Sequence, residues 1–288
     1  MKKLSMICAT YGNNKQDLLI KLIDSVIENA SDKYEIEFIL VDQNEKDQYQ
    51  RIIQKRIINT KIIFKYLKSE IGLSKSRNIG LKHVSGNIIC FPDDDCIYPR
   101  GFIQKIMNYF DSPESSGLLI TKVRDLNDRY DLRFTNKKKS GHLSPNEVFV
   151  NCCSISIFHK KRKEKILFDE NLGLGSKFKS CEDYDYVLQH IKKGTHVYFS
   201  NDLYVLHPDS NILEKKEILK KIENNAIGHG ALFRKHFFLI IRTSIYHIIT
   251  PVIGMFIGLI TLNRFKQKQY SLLFKYRLLG FIKYQRND

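Results

Sequence analysis

Asp93-Asp94-Asp95 sets three carboxylates side by side, directly behind the apolar run Asn87 to Phe91 and ahead of Pro99. Adjacent carboxylates repel one another and gain nothing in a hydrophobic core, so a cation or a set of donors must compensate them. At the end of a strand, alternate side chains point the same way. Asp93 and Asp95 are therefore expected to converge on one ligand while Asp94 turns aside. Hard oxygen donors of this kind suit Mg2+ or Mn2+, ions that keep some of their water and bind phosphate oxygens of a substrate. The competing reading is an acidic turn that caps the helix beginning near Arg100.

A second acidic group, Glu182-Asp183-Tyr184-Asp185, opens a segment whose Tyr184, Val187, Leu188 and Ile191 share one helical face. Carboxylates in a first helical turn interact well with the helix dipole, which accounts for one of the three. A carboxylate kept ionised there can also take a proton from a hydroxyl as a general base. Arg77 stands in Gly72 to Gly80, between two strands whose ends carry acids, either solvated or turned toward a nucleotide. His207 ends the apolar run Tyr204-Val-Leu, either as a structural histidine or as a metal ligand.

These groups need a frame. Leu4 to Ala9 reads as a buried strand, Lys15 to Asn29 as a helix and Ile36 to Val41 as a second strand, which makes a βαβ unit. A helix from Tyr49 to Ile58, a strand from Ile62 to Tyr66, a helix from Ser74 to His83, a strand from Asn87 to Phe91 and a helix from Gly101 to Phe110 continue the alternation. Such alternation favours a mostly parallel sheet flanked by helices, with ligands at the carboxyl ends of the strands. Thr10, Asp42 and Asp93 each stand at such an end. Farther on, Thr121 to Leu143 reads as a polar loop carrying Lys137-Lys138-Lys139, and Val148 to Phe158 as a strand. Leu172 to Ser180 reads as a glycine-containing loop before the helix of Glu182.

With 288 residues, 43% hydrophobic and 27% charged, the chain fits one large α/β domain with an appendage. The expected division is a catalytic domain over 1–225 and a helical, membrane-associating region over 226–288. The net charge of +16 is concentrated toward the end: from Asn224 to Asn287 there is no Asp or Glu, while Arg and Lys recur from Arg234 to Arg286. Ile245 to Leu262 has no formal charge besides His247 and is followed at once by Arg264, Lys266 and Lys268. That pattern argues against nucleic acid and for an anionic membrane surface, met by monotopic helices or by a single tilted span; a buried core helix is the plain alternative. The apolar stretch after Met1 is too short for a signal peptide, so the catalytic part is expected at the cytoplasmic face of the cell membrane. Six cysteines without C-x-x-C spacing predict buried thiols.

Taken in order, Ala9-Thr10-Tyr11, Leu40-Val41-Asp42, Leu73 to Gly80, Phe91 to Asp95 and Cys181 to Asp185 resemble the family 2 glycosyltransferases. These are GT-A fold enzymes that transfer sugars from nucleotide-sugar donors. The resemblance runs from Leu4 to His207 and continues through Gly228 to His236. It implies that Thr10, Tyr11, Asp42 and Arg77 hold the nucleotide base, and that Asp93, with Asp94 beside it, meets the ribose. Asp95 would ligate Mn2+ or Mg2+ at the diphosphate with His207 completing the metal shell, and Asp183 would be the catalytic base with Glu182 beside it. It further implies inverting transfer from a UDP-sugar to a glycan or lipid-linked acceptor in surface polysaccharide synthesis. The chain departs from the pattern at Gln43-Asn44-Glu45, where many relatives carry a second acid, Gly and Ser, and at Cys181, where a small residue is usual. Lacking Trp, it would stack a sugar on Tyr or Phe, with Tyr98 a candidate. Two rivals stay open: a sugar-1-phosphate nucleotidyltransferase, whose Gly-rich phosphate loop Thr10 to Asn14 does not supply, and a non-catalytic nucleotide-binding module.

Overall fold

Strand β1 (Lys3–Thr10) and strand β2 (Glu35–Asp42) are nearly unbroken buried apolar runs, the mark of parallel strands covered on both faces. They pair in parallel along their whole length, with Lys3 opposite Glu35 and Thr10 opposite Asp42, so the two polar ends share one edge of the sheet. Helix α1 (Gln16–Glu28) connects them and buries Leu19, Leu22, Ile23 and Val26 at helical spacing. The computed structural model describes residues 2–12, 15–132, 139–209 and 214–285; Asn13, Asn14, Lys137 and Lys138 lie outside them.

The remaining elements are α2 (Gln48–Ile57), β3 (Ile63–Lys68), α3 (Leu73–His83), β4 (Ile88–Cys90), α4 (Phe102–Asp111), β5 (Leu118–Asp125), β6 (Gly141–His142), α5 (Pro145–Asn151), β7 (Ile157–Lys160), α6 (Glu182–Lys192), β8 (Val197–His207), α7 (Lys215–His236), α8 (Ile241–Ile260) and α9 (Arg264–Lys283). Among the described residues they form one sheet in the order β3-β2-β1-β4-β7-β5-β8-β6. Strand β7 runs against β4 and β5, and β6 against β8, while the other pairings are parallel. The expected mostly parallel sheet flanked by helices is what forms.

Two local expectations fail. Only Ile157–Lys160 of the segment Val148 to Phe158 is a strand; the stretch up to Asn151 is helical. The cause lies upstream. Ser144-Pro145-Asn146-Glu147 is a helix start, with proline in the first turn and the Glu147 carboxylate accepting the Ser144 backbone N–H at 2.8 Å. The stretch Thr121 to Leu143 is not all loop, because β5 runs on to Asp125 and residues 141–142 form β6. The polar side chains of β5 disguise it: Lys122 and Arg124 both reach Asp131.

The last three helices pack through glycines. A Cβ on Gly230 would lie 1.9 Å from the Arg277 carbonyl, and one on Gly280 would lie 2.0 Å from that of Ile227, so α7 and α9 meet backbone to backbone. Helix α8 turns its small residues inward, Gly254 against the Tyr270 ring and Gly258 against Gln267, and leaves Ile249, Ile253, Phe256 and Ile260 exposed. By length and composition it could cross a membrane. All six cysteines are free and buried, as expected.

Candidate active site

Asp93 follows β4 and makes a parallel bridge with Ala9, which brings the acidic tripeptide to the carboxyl end of β1. Two residues past Asp95, Ile97 exchanges backbone hydrogen bonds of 2.9 Å with Leu206 in both directions. That antiparallel stitch places the last residue of β8, His207, beside Asp95. Ligand atoms of Asp93, Asp95 and His207 lie within 4.8 Å of one another, close enough to hold one metal ion.

The donor set suits a divalent cation. Asp95 Oδ1 lies 3.1 Å from His207 Nε2, yet it is buried and among the described residues no hydrogen bond satisfies it. Two atoms so close without a shared proton are what a common third partner would require. His207 Nδ1 donates to the Pro208 carbonyl at 2.7 Å, which leaves Nε2 as the ring's lone-pair donor facing the carboxylates. Burial alone would raise the Asp95 carboxyl, but the neighbouring His207 ring and Lys15 ammonium bring it below its ordinary value. Burial alone would lower His207, and the Asp95 carboxylate reverses this and raises it.

Asp94 turns aside as expected. It accepts from the Thr10 hydroxyl at 2.8 Å and from Lys15 Nζ at 3.1 Å, and burial still pushes its carboxyl up. Lys15 Nζ also lies 3.6 Å from Asp95 Oδ2. A cavity of about 510 Å³ opens over this group, lined among others by Tyr11, Lys15, Gln43, Leu174 and His207, a volume in the range of small-ligand sites.

Helix α3 joins this cluster to the second acidic group. Arg77, 1% exposed, sends Nη1 to Glu182 Oε1 at 3.1 Å and Nη2 to Asp93 Oδ1 at 3.0 Å, with its guanidinium 5.4 Å from the Phe168 ring centre. The same helix fixes the loop before α6. The Ser74 hydroxyl donates to the Leu172 carbonyl at 2.6 Å, and Asn78 exchanges bonds of 3.0 and 2.8 Å with the Phe168 backbone. Gly173, at φ +97°, leaves room for Glu182: a Cβ there would meet the Ser74 hydroxyl at 2.9 Å and the Glu182 carboxyl carbon at 3.2 Å. Burial first, and the adjacent Asp183 charge second, push the Glu182 carboxyl up to about 7, against the pull of Arg77.

A protein-family model described as glycosyl transferase family 2 matches residues 5–167, more than half of the chain. The chain belongs to this family. It is 27% identical over 183 residues to the minor teichoic acid biosynthesis protein GgaB of Bacillus subtilis, covering 59% of this chain and 20% of that protein. It is 25% identical over 197 residues to the poly(ribitol-phosphate) beta-N-acetylglucosaminyltransferase TarS of Staphylococcus aureus, covering 64% of this chain and 31% of that one. The chain thus spans about a fifth of GgaB and about a third of TarS. Its fold is like that of S. aureus TarS 1-349 in complex with UDP-GlcNAc, with a TM-score of 0.59 at 18% identity over 97% of this chain and 90% of that one. It is also like that of the mannosyltransferase PcManGT from Pyrobaculum calidifontis in complex with GDP-Man and Mn2+, with a TM-score of 0.66 at 14% identity over 97% of this chain and 87% of that one. The expected GT-A fold is that of these neighbours.

Within this family frame, the structure gathers Asp93, Asp95 and His207 into one cluster and links it to Glu182 through Arg77. Thr10, Asp42 and Arg77 stand behind the cavity wall rather than on it. Asp42 is fully buried and accepts from Asn44 at 2.7 Å and from the Tyr66 hydroxyl at 2.8 Å, so at this level the cavity meets Tyr11 and Gln43. Asp183 is 9% exposed at the start of α6 and accepts the Tyr184 backbone N–H at 2.8 Å. Asp185, two residues and so about half a turn along, faces away from the cluster, accepting from His236 Nε2 at 2.7 Å and lying 2.9 Å from Lys235 Nζ on α7. Tyr98 is a core residue, 1% exposed and stacked on Phe102, so it offers no sugar platform; Tyr11, 54% exposed, is the aromatic that lines the cavity. Sequence reasoning missed Lys15 and Gln43. Gln43 donates to the Thr10 carbonyl at 3.3 Å and accepts the Gly72 N–H at 2.8 Å, tying β1 to α3. For Gln43 the available signal was position, since it directly follows β2 at the carboxyl edge of the sheet; Lys15, five residues past β1, carried no such signal.

Proposed function

We propose that this chain carries out inverting, divalent-cation-dependent transfer of a sugar from a uridine diphosphate donor to a hydroxyl of a phosphate-linked polyol or glycan chain of the cell surface. The observation that carries the reading is the buried Arg77 guanidinium, one arm on the cation cluster and the other on Glu182 of the carboxylate pair. The site therefore has two ends: one whose donors would hold a cation and, through it, a diphosphate, and one whose carboxylates suit a hydroxyl. Asp93, Asp95 and His207 Nε2 would hold Mn2+ or Mg2+, an ion that offsets the negative charge developing on a departing nucleoside diphosphate. Lys15 adds a second positive charge at the same mouth, and Tyr11 offers an exposed ring face to a base or a sugar.

Asp183 takes the proton from the acceptor hydroxyl, and attack from the face opposite the diphosphate inverts the anomeric centre. Glu182, held by Arg77, fixes the start of α6 and so the position of Asp183. The UDP-GlcNAc complex of TarS and the poly(ribitol-phosphate) acceptor in its name support the donor and acceptor classes. The test is transfer from UDP-GlcNAc to poly(ribitol phosphate). Asp183→Asn should abolish it while still binding UDP, and retention of wild-type transfer would remove Asp183 as the base.

The last helices act as a membrane foot. The outer face of α8 exposes Ile249 at 50%, Ile253 at 53%, Phe256 at 62% and Ile260 at 80%, and Arg242 lies near one end with Arg264, Lys266 and Lys268 beyond the other. An apolar face framed by cations suits monotopic seating on an anionic leaflet at the cytoplasmic side. Sedimentation with vesicles containing phosphatidylglycerol should depend on Phe256 and Ile260. If Phe256→Ser with Ile260→Ser sediments like the wild type, α8 is not the foot.

A further inference from the structure

The end of the sheet opposite the site carries its own charged feature. Residues 160–165 read Lys-Lys-Arg-Lys-Glu-Lys, and β7 pairs Lys160 with Ile88, at the start of β4 rather than at the acidic end. The Lys161 backbone N–H donates to the Asn87 carbonyl at 2.7 Å, which pins the basic run beneath β4. Lys2 precedes β1 at the same edge. Together these residues line an open groove of about 640 Å³ whose cations are Lys2, Lys160, Lys161, Arg162, Lys163 and Lys165.

Most of the charge is not spent internally. Of the two acids beside the groove, Glu164 faces Lys193 at 2.7 Å, and Asp111 offsets one groove cation, Lys2. Among the described residues, Lys160, Lys161, Lys163 and Lys165 have no acidic partner; Lys160 and Lys161 bond only the Ser115 hydroxyl at 2.7 Å and the Val84 carbonyl at 3.0 Å. Arg162 is braced by Thr195 at 2.8 Å and the Lys193 carbonyl at 3.0 Å, and its Nε is buried without a hydrogen bond. Five cations within six residues, running on from the end of β7, repel one another, and a polyanion is the ligand class that relieves this.

Shape and composition choose among polyanions. The patch is concave, which suits a chain better than a flat bilayer, and its apolar lining residues Ile88 and Phe110 are buried, so nothing inserts among acyl chains. With Phe110 enclosed, the groove also presents no aromatic face on which nucleic-acid bases could stack. We propose that this groove binds the phosphodiester backbone of a non-aromatic polyol-phosphate polymer, the distal part of the acceptor whose reacting hydroxyl lies at Asp183. This inference rests on the acceptor class proposed above. Strand β1 alone separates the two sites by about 26 Å at ~3.3 Å per residue, so only an acceptor of several units can occupy both.

The test measures binding of labelled poly(ribitol phosphate), at least ten units long, to the full chain over a series of salt concentrations. In the variant combining Lys160→Ser, Lys161→Ser, Lys163→Ser and Lys165→Ser, affinity at low salt should fall at least tenfold. The slope of log affinity on log salt should drop by about 3, the counter-ions released by four phosphate contacts on a flexible strand. Binding of UDP with Mn2+ is measured alongside and should be unchanged, which reports that the variant is folded and keeps the donor site. Unchanged polymer affinity and slope overturn the proposal. So does loss of binding to phosphatidylglycerol vesicles or to a single-stranded oligonucleotide with polymer binding intact. If UDP binding is absent from the wild type while the polymer result holds, it is the donor reading that fails and the groove that stands.

Discussion

Replacing Arg77 by methionine keeps the apolar stem over Phe168 and removes the cation between Glu182 and Asp93. Breaking a buried ion pair from one side costs about 3–5 kcal/mol, because the remaining charge is left without compensation. Here the loss depends on pH, since Glu182 can escape by taking up a proton. Burial and Asp183 already lift its carboxyl to about 7, so below pH 6 it is mostly protonated with or without Arg77, whereas at pH 8 it is ionised in the wild type. The full cost should therefore appear at pH 8 and shrink at pH 6. For a chain of this size each kcal/mol moves the melting point by roughly 2 °C, so Arg77→Met should melt about 6–10 °C lower at pH 8 and clearly less than that at pH 6. Arg77→Lys keeps a charge but not the two-pronged geometry, and should recover part of the stability and little of the transfer activity. The assay is thermal unfolding of the three proteins at both pH values without ligand. Melting points within 2 °C of the wild type at pH 8 would refute the view that Arg77 compensates Glu182.

In Glu182→Gln the pH dependence itself should change. Between the ordinary carboxyl value of 4.5 and about 7 the folded protein binds more protons than the unfolded chain. Stability then falls as pH rises through that window, by up to about 3 kcal/mol, and the glutamine variant should lose this slope in denaturant titrations. Equal slopes would assign the titration to another group. Asp185→Asn removes the charge between Lys235 and His236 and should cost about 2–4 kcal/mol, with kcat falling more than KM rises because α6 carries Asp183. A fall in stability with unchanged turnover per folded molecule would make the contact purely structural. Gly280→Ala places a methyl group 2.0 Å from the Ile227 carbonyl and should separate α7 from α9, read as faster proteolysis after residue 225; resistance equal to the wild type would contradict that packing.

What could be read from the chain was whatever depends on local period and on the direction of a strand. The convergence of Asp93 and Asp95 with Asp94 turned aside was expected from alternation at a strand end; the structure has that arrangement but reaches it through a turn, in which the Cys96 N–H donates to the Asp93 carbonyl at 3.3 Å. His207 was visible as a polar end to an apolar run, but its place beside Asp95 depends on the pairing of Ile97 with Leu206, a contact far apart in sequence with no local signal. Long-range partners also decided Asp185, which shares a tetrapeptide with Glu182 yet faces α7 because the helix turns it there. Tyr98 read as a candidate platform for a sugar and proved to be core, since its backbone is tied to Ser25 and Asn29 at helix α1 and its ring stacks on Phe102. The helix from Pro145 to Asn151 was written in its first four residues and obscured by the β-branched and apolar residues after them. Gly230 and Gly280 gave no local signal of their role and are the points where two helices touch.

The central claim is that Asp93, Asp95 and His207 hold one divalent cation that in turn holds a nucleoside diphosphate. Calorimetric titration of UDP into the full chain with and without Mn2+ tests it most directly, in the wild type and in Asp95→Asn. The account predicts that Mn2+ strengthens UDP binding at least tenfold in the wild type and has no effect in the variant. UDP binding of equal strength with and without the cation in both proteins would contradict it.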